Sequence, residues 1–283
     1  MIDEIVYAIK KAETKLSEDT VKALKAAYER ESNPLARTQL EAILKNVEIA
    51  EKYSLPMCQD TGLQTFFMDV GYDFPFIREL KVAIEEAVRR ATKEIPLRPN
   101  AVHPFLHKNS GDNTGRFVPY IHWELHEGDD AVIHVIPKGG GSENMSGLYM
   151  LPPGVGIKGI KKKVIEHIFN SGGKPCPPTI IGVGIGGGAD LALTLAKKAA
   201  ILRPIGARHE EEFVAQLEEE LYEMANKLGI GPMGLGGDTT VLDVHVEYAH
   251  RHPATLPLGI VTQCWANRKR KVRISADGKV EVV

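Results

Sequence analysis

The pattern of apolar and polar residues at the N-terminus predicts a series of helices. One apolar face, with the spacing i, i+3, i+4 and i+7, is formed by Ile2, Ile5, Val6 and Ile9. Ser17 is a typical N-cap residue, and it precedes a second helical pattern that extends to about Arg30. Asn33-Pro34 interrupts this pattern, which resumes from Leu35 to Tyr53. The first 50 residues are therefore predicted to be mainly helical.

Further along the chain, short apolar runs predict strands and longer amphipathic segments predict helices. The predicted strands are Leu63–Val70, Val118–Leu125, Ala131–Pro137, Ile180–Ile185, Thr240–Tyr248 and Leu258–Val261. The predicted helices are Phe76–Lys93, Ile157–Phe169, Asp190–Leu202 and Glu210–Leu228. Residues 127–130 are expected to form the turn between the second and third strands, and Asp277-Gly278 to close a terminal hairpin.

Helices and strands alternate without a regular βαβ rhythm, which favours an α+β fold of mixed α/β layers. We expect a helical N-terminal segment followed by sheets that are flanked by helices. Residues 96–116 are poor in apolar residues and rich in Asn, Gly, Pro and His, which is typical of an ordered loop or lid. Pro152-Pro153 marks a candidate boundary between two subdomains, near residue 152.

Composition narrows the classes of protein that fit this pattern. The chain has 283 residues, of which 43% are hydrophobic and 25% are charged, so a disordered chain is excluded. The formal net charge of −2 gives no reason to expect a nucleic-acid partner. No apolar run is long enough for a transmembrane helix, and the N-terminus lacks the apolar core of a signal peptide. A cytoplasmic protein without a membrane partner is expected.

Three cysteines are the first candidates for chemistry. Cys58, Cys176 and Cys264 each lie in an irregular segment beside a predicted strand, where functional sites are commonly built. Cysteine is also a small buried hydrophobe, so each could serve packing alone. No CxxC pair indicates a structural zinc site, whereas three thiolates suit an iron–sulfur cluster with one iron that lacks a protein ligand. A nucleophilic cysteine paired with a histidine stays open as an alternative.

Polar residues near these cysteines are candidates for substrate contacts. Asp60 follows Cys58 by two residues, so in an extended loop its side chain faces the same way; it could equally cap a turn. Arg98 lies in a loop with little other charge and could bind a carboxylate. The segment 139–141 is a glycine run that could present N–H groups to an anion. Arg268 could offset charge near Cys264 or be a surface cation.

The segment GVGIGGGAD, residues 182–190, lies between a predicted strand and a predicted helix. It superficially resembles a dinucleotide fingerprint, but its glycine spacing differs from G-x-G-x-x-G and no acidic residue follows at the required distance. Nucleotide binding is therefore disfavoured.

Seven segments of the chain together resemble class I fumarate hydratases and the related L-tartrate dehydratase alpha subunits. They are PMCQDTGLQTFFMDVG, LRPNAV, NSGDNTG, IHWELHEGD, PKGGGSENMS, GKPCPPTIIGVGIGGGADLA and TQCWANRKRK. The resemblance implies that the chain, residues 1–283, is the cluster-binding alpha domain of this family, and that Cys58, Cys176 and Cys264 hold a [4Fe–4S] cluster on loops between elements. It also implies that Asp60 acts near the substrate, that Arg98 binds it, and that Gly140 is the glycine nearest to it. Gln59 could contact the substrate or satisfy the backbone of its loop. The resemblance further implies that the glycines of residues 182–188 allow close packing of the strand against the helix beside Cys176.

The activity implied by the resemblance is the reversible hydration of fumarate to L-malate by an iron–sulfur hydro-lyase. The alternative within the same chemistry is the dehydration of L-tartrate to oxaloacetate. The chain ends where the alpha portion of the family ends, so a separate beta subunit is expected to complete the active site and to supply the general base. An alpha dimer within a heterotetramer is expected. A non-catalytic iron or redox sensor and a cysteine hydrolase are the alternatives from other classes.

Overall fold

The chain has an α+β architecture, as the sequence predicts, in a computed structural model that describes residues 1–283. The helices are α1 (Ile2–Thr14), α2 (Glu18–Arg30), α3 (Pro34–Tyr53), α4 (Ile77–Glu94), α5 (Gly140–Glu143), α6 (Gly156–Ser171), α7 (Ala189–Leu202) and α8 (Glu212–Asn226). The strands are β1 (Leu63–Gly71), β2 (Tyr120–His126), β3 (Ala131–Lys138), β4 (Gly147–Leu151), β5 (Thr179–Gly186), β6 (Val241–Ala249), β7 (Leu256–Gln263), β8 (Arg270–Ile274) and β9 (Val280–Val282). None of the helices combines the length and the apolar character needed to span a membrane.

The chain forms two compact units, each assembled from segments that are distant in sequence. Unit 1 consists of residues 1–16, 46–140 and 268–283; unit 2 consists of residues 17–45 and 141–267. The C-terminal residues belong to unit 1 because β8 pairs with β3. The sequence indicated a division near residue 152, whereas the long central segment of unit 2 begins at Gly141.

Unit 1 is built on a five-stranded sheet in the order β2-β1-β3-β8-β9. The inward residues of α1 and α4 share one hydrophobic core with β1, β3 and β8. Ile5 and Ile9 of α1 are fully buried, which confirms the predicted apolar face of that helix. The core therefore fixes α1 beside the central strands of this sheet.

The order of the strands in unit 1 differs from their order along the chain. Residues 127–130 join β2 to β3, as predicted, but β1 lies between these two strands in the sheet. β1 pairs parallel with β2 and antiparallel with β3. Every residue of β2 is at least partly exposed, whereas most residues of β1 and β3 are buried. The most exposed of these three strands therefore takes the edge position, and the two buried strands pair in the interior.

Unit 2 is built on a four-stranded sheet in the order β4-β7-β5-β6, with helices on both faces. Ile181 and Val183 of β5 join the apolar core formed with α6 and α8. The alternate residues, Gly182 and Gly184, face α7: a Cβ atom on either would lie 1.9 or 2.0 Å from a carbonyl oxygen of that helix. The predicted close packing of this glycine strand against a helix is confirmed.

We expect Gly184→Ala to destabilise unit 2, because the added methyl group has no space against the backbone of α7. Overpacking of this kind costs about 1–3 kcal/mol of unfolding free energy. Chemical denaturation followed by circular dichroism measures the loss. Gly154→Ala is the matched control, because Gly154 is exposed and a Cβ there meets no atom within 4 Å. Equal stability of the two variants would contradict the packing role.

Candidate functional site

Three segments of unit 1 converge on one edge of its sheet. The cysteine loop, residues 56–62, leads into the start of β1, and Gly139 follows the end of β3. These ends are adjacent because Leu63 pairs with Lys138 in the antiparallel register. Arg268 lies just before β8, whose residue Arg270 pairs with Val135 of β3. Topology therefore brings Cys58, Asp60, the glycine run and Arg268 to the same edge.

Asp60 connects the cysteine loop to the glycine run. Its Oδ1 accepts a hydrogen bond from the Gly62 N–H at 2.9 Å, which is the local turn that the sequence offered as one interpretation. Its Oδ2 accepts a hydrogen bond from the Gly140 N–H at 2.7 Å, across 80 residues of sequence. The structure thus brings together Asp60 and Gly140, and it directs the Gly140 N–H to this carboxylate.

The loop that contains Arg98 is fastened to the cysteine loop through main-chain atoms. The Arg98 N–H donates to Thr61 Oγ1 at 3.0 Å, and Asn113 Nδ2 donates to the Arg98 carbonyl oxygen at 3.0 Å. Asn100 Nδ2 donates to the Gly62 carbonyl oxygen at 2.9 Å. Arg98 itself is exposed, as is Gln59 in the cysteine loop. The backbone of Arg98 is therefore fixed while its guanidinium faces solvent.

Arg268 is almost completely buried, so its interpretation as a surface cation is wrong. Its Nη1 donates to Glu13 Oε2 at 2.7 Å, and Glu13 is itself fully buried in the last turn of α1. Burial raises the pKa of Glu13 to about 7, against the opposing effects of Arg268 and Gln64. A buried charge of either sign is costly alone, which explains why the two groups are paired.

Glu13 is a residue of this edge that the sequence analysis missed. It continues the row Ile5, Ile9, Glu13 at a spacing of four residues, and the first two members of the row are core residues. A carboxylate on the buried face of an amphipathic helix is unusual unless it is paired. That departure from the pattern was the available signal.

The other two cysteines lie together at one edge of the sheet of unit 2. Cys176 precedes the start of β5, and Cys264 follows the end of β7. These strand ends are adjacent because Ile180 pairs with Gln263. The Trp265 N–H donates to the Cys176 carbonyl oxygen at 3.4 Å, so the two cysteine segments are in direct contact. Trp265 is buried, consistent with a packing role.

Cys176 has a left-handed backbone conformation, with φ of +57°. This region is unfavourable for a side chain with a Cβ atom, and residues held there are concentrated at functional sites. Neighbouring prolines at 175 and 177 restrict the segment further. The surrounding structure therefore holds this cysteine in a conformation that glycine would adopt more easily.

The three cysteines have the chemistry that an iron–sulfur cluster requires. None is in a disulfide, each is partly exposed, and thiolates are the usual protein ligands of such clusters. The structure contains no group of three or more His, Cys, Asp or Glu side chains arranged around a single metal ion. The donor set therefore fits the cluster by chemical type, and shared ligation by all three residues stays a prediction.

Comparisons with known proteins agree with this arrangement. The profile of the fumarate hydratase (Fumerase) family matches residues 2–273. A protein of Methanocaldococcus jannaschii, provisionally named L(+)-tartrate dehydratase subunit alpha, is 49% identical over 98% of this chain and 99% of its own length. The L(+)-tartrate dehydratase alpha subunits of Escherichia coli strains UTI89 and K12 are 41% and 40% identical, over 93% of this chain and 87% of theirs. The chain is therefore a member of the fumarate hydratase family of hydro-lyases, to which it is similar along nearly its whole length.

Proposed function

We propose that the chain is the alpha subunit of an iron–sulfur hydro-lyase that adds water to fumarate to give L-malate. The observation that carries this proposal is the edge of unit 1, where Asp60, Arg98 and Cys58 belong to segments joined by hydrogen bonds. A second candidate reaction is the dehydration of L-tartrate to oxaloacetate. It is favoured by the names of the relatives, which are L(+)-tartrate dehydratase alpha subunits. Both reactions act on a four-carbon dicarboxylate.

Cys58, Cys176 and Cys264 would hold the [4Fe–4S] cluster. When bound through three thiolates, the cluster supplies an iron that lacks a protein ligand and can act as a Lewis acid toward a substrate oxygen. The partial exposure of all three thiols and the strained backbone of Cys176 support this assignment.

Arg98 and Asp60 would bind the dicarboxylate. A substrate with two negative charges needs fixed cationic and N–H donors, and an exposed guanidinium on a fixed backbone can form a bidentate pair with a carboxylate. Asp60 already accepts two N–H donors, but an ionised carboxylate has about four lone-pair sites, so it can also accept a hydrogen bond from a substrate hydroxyl. Gly140 would shape the anion site, and Gln59 would contact substrate from the exposed side of the cysteine loop.

We expect Arg98→Lys to raise KM for the dicarboxylate by about 10- to 100-fold, because lysine cannot form the bidentate pair. The magnitude corresponds to the loss of about 1.5–3 kcal/mol for a hydrogen bond to a charged group. Steady-state kinetics on the assembled enzyme measures the change. Arg116→Lys is the matched control, since Arg116 lies exposed in the same loop region, over the Phe117 ring. An unchanged KM in Arg98→Lys would remove Arg98 from the carboxylate site.

A separate beta subunit would complete the active site and supply the general base. The names of the relatives, each a subunit alpha, support a partner of this kind. An alpha dimer within a heterotetramer and a cytoplasmic location complete the proposal. The alpha chain alone is then expected to be inactive, even after anaerobic cluster reconstitution.

The test is anaerobic co-expression of this chain with its beta partner, followed by parallel assays on fumarate and L-tartrate. Preference for fumarate supports the first candidate reaction, and preference for L-tartrate replaces it with the second. Full activity after removal of iron would overturn both, because neither reaction would then need the cluster. Alkylation of a thiol that abolishes activity in an iron-free, colourless protein would indicate a cysteine hydrolase instead.

A further inference from the structure

The buried pair of Glu13 and Arg268 lies close to Asp60, on either side of the space beside Gly139. Arg268 donates from Nη1 to Glu13, and its Nη2 lies toward the vacant side of Gly139. A Cβ atom on Gly139 would be 3.3 Å from Arg268 Nη2 and 3.1 Å from Asp60 Oδ2. The guanidinium of Arg268 and the carboxylate of Asp60 therefore border the same space, which is free because Gly139 has no side chain.

Glu13 also holds the cysteine loop directly through its main chain. The Glu13 carbonyl oxygen accepts a hydrogen bond from the Met57 N–H at 3.0 Å, and Met57 immediately precedes Cys58. On the other side of Met57, its carbonyl oxygen accepts a hydrogen bond from Asn46 Nδ2 at 2.8 Å. The last turn of α1 thus contacts the start of the cysteine loop through the backbone of Glu13. The side chain of Glu13 binds Arg268, which lies near Asp60.

We propose that Glu13 is a positioning residue that acts through Arg268 to keep the Asp60 carboxylate on the N–H groups of Gly62 and Gly140. The proposal rests on the proposed role of Asp60 at the substrate. In its ionised form Glu13 balances the charge of Arg268, whose guanidinium lies near the Asp60 carboxylate at Gly139. Without the negative charge of Glu13, the buried guanidinium would be attracted to the Asp60 carboxylate, which borders the same glycine, and a direct pair would draw that carboxylate away from Gly140.

Glu13→Gln tests this arrangement, because glutamine keeps the shape and one acceptor but removes the charge. In the assembled two-subunit enzyme we expect kcat to fall roughly ten- to a hundredfold, the scale of a misplaced catalytic group, with little change in KM. Glu13→Asp, which keeps the charge on a shorter side chain, should recover part of the lost kcat. Glu51→Gln is the matched control, since Glu51 forms an exposed ion pair with Lys15 in the same unit; it should leave kcat unchanged.

A double-variant cycle distinguishes positioning from general stabilisation. Glu13→Gln should have no further effect on kcat when Asp60 is already Asn, because the group that it positions is absent. An equal loss of kcat in both backgrounds would overturn the proposal in favour of a merely structural ion pair. If Glu13→Gln does not fold, the double variant Glu13→Gln/Arg268→Met, which leaves no lone buried charge, replaces it. Because no guanidinium is then left to draw Asp60 away, we expect a kcat near that of the wild type, and a loss of kcat as large as that of Asp60→Asn would overturn the proposal. If Asp60→Asn alone retains full kcat, the proposed role of Asp60 fails, which is a separate result.

Discussion

Asp60→Asn should lower kcat of the assembled enzyme by about 10²-fold, the effect typical of losing the correct placement of a group at the reacting centre. The amide can still accept one of the two N–H bonds, from Gly62 or from Gly140, but its NH₂ group cannot accept the other. The substitution also removes the negative charge near the substrate. A loss of kcat with an intact cluster absorbance would place the defect in the chemical step.

The control for this prediction is Asp73→Asn, which removes a carboxylate from an exposed position in the same unit. We expect that variant to retain its kcat. Thermal unfolding of both variants separates catalysis from stability, because the loss of one hydrogen bond to a charged acceptor costs only about 1.5–3 kcal/mol. Asp60→Asn with wild-type kcat would show that this aspartate only closes the turn with Gly62.

Local sequence patterns predicted most helices and strands, because the spacing of apolar residues in a helix or strand also sets which side chains pack in the core. The helix predicted at 190–202 is observed as Ala189–Leu202, and the strand predicted at 180–185 as Thr179–Gly186. Gly182 and Gly184 show why: their spacing of two residues places both on the helix-facing side of one strand. The sequence was less informative in the glycine-rich segment after β3, where a short helix and the strand β4 form in addition to the loop.

The sequence did not predict which distant segments of the chain pair with one another. Residues 127–130 join β2 to β3 along the chain, yet β1, which comes from a distant segment, lies between the two strands and pairs with both. The sequence likewise could not distinguish a buried Arg268 from a surface cation, because its ion-pair partner Glu13 lies 255 residues away in α1. Motifs identified Asp60 and Arg98, whereas the residues that support the aspartate depend on long-range contacts that no local motif encodes.

Replacing any one of the three cysteines with Ser should abolish both the cluster and the activity, while the chain stays folded. Each thiol is partly exposed, so the smaller, more polar hydroxyl costs little packing. Serine is a poor replacement for the thiolate that iron–sulfur clusters prefer. Anaerobic reconstitution followed by iron analysis and visible absorbance measures the loss for Cys58→Ser, Cys176→Ser and Cys264→Ser separately. One variant that retains the full iron content and activity would remove that cysteine from the ligand set.

Cys176→Gly tests the role of Cys176 as a cluster ligand without a loss of folding stability. At φ of +57° a side chain costs about 1–2 kcal/mol relative to glycine, so this substitution should relieve strain in the cluster-free chain. Unfolding of the iron-free protein by denaturant should therefore show that the variant is as stable as the wild type or more stable. Its loss of iron binding would then be due to the missing thiolate alone. A cysteine that served only packing would have no reason to occupy a backbone conformation that favours glycine, and Cys176→Gly would in that case retain both iron and activity.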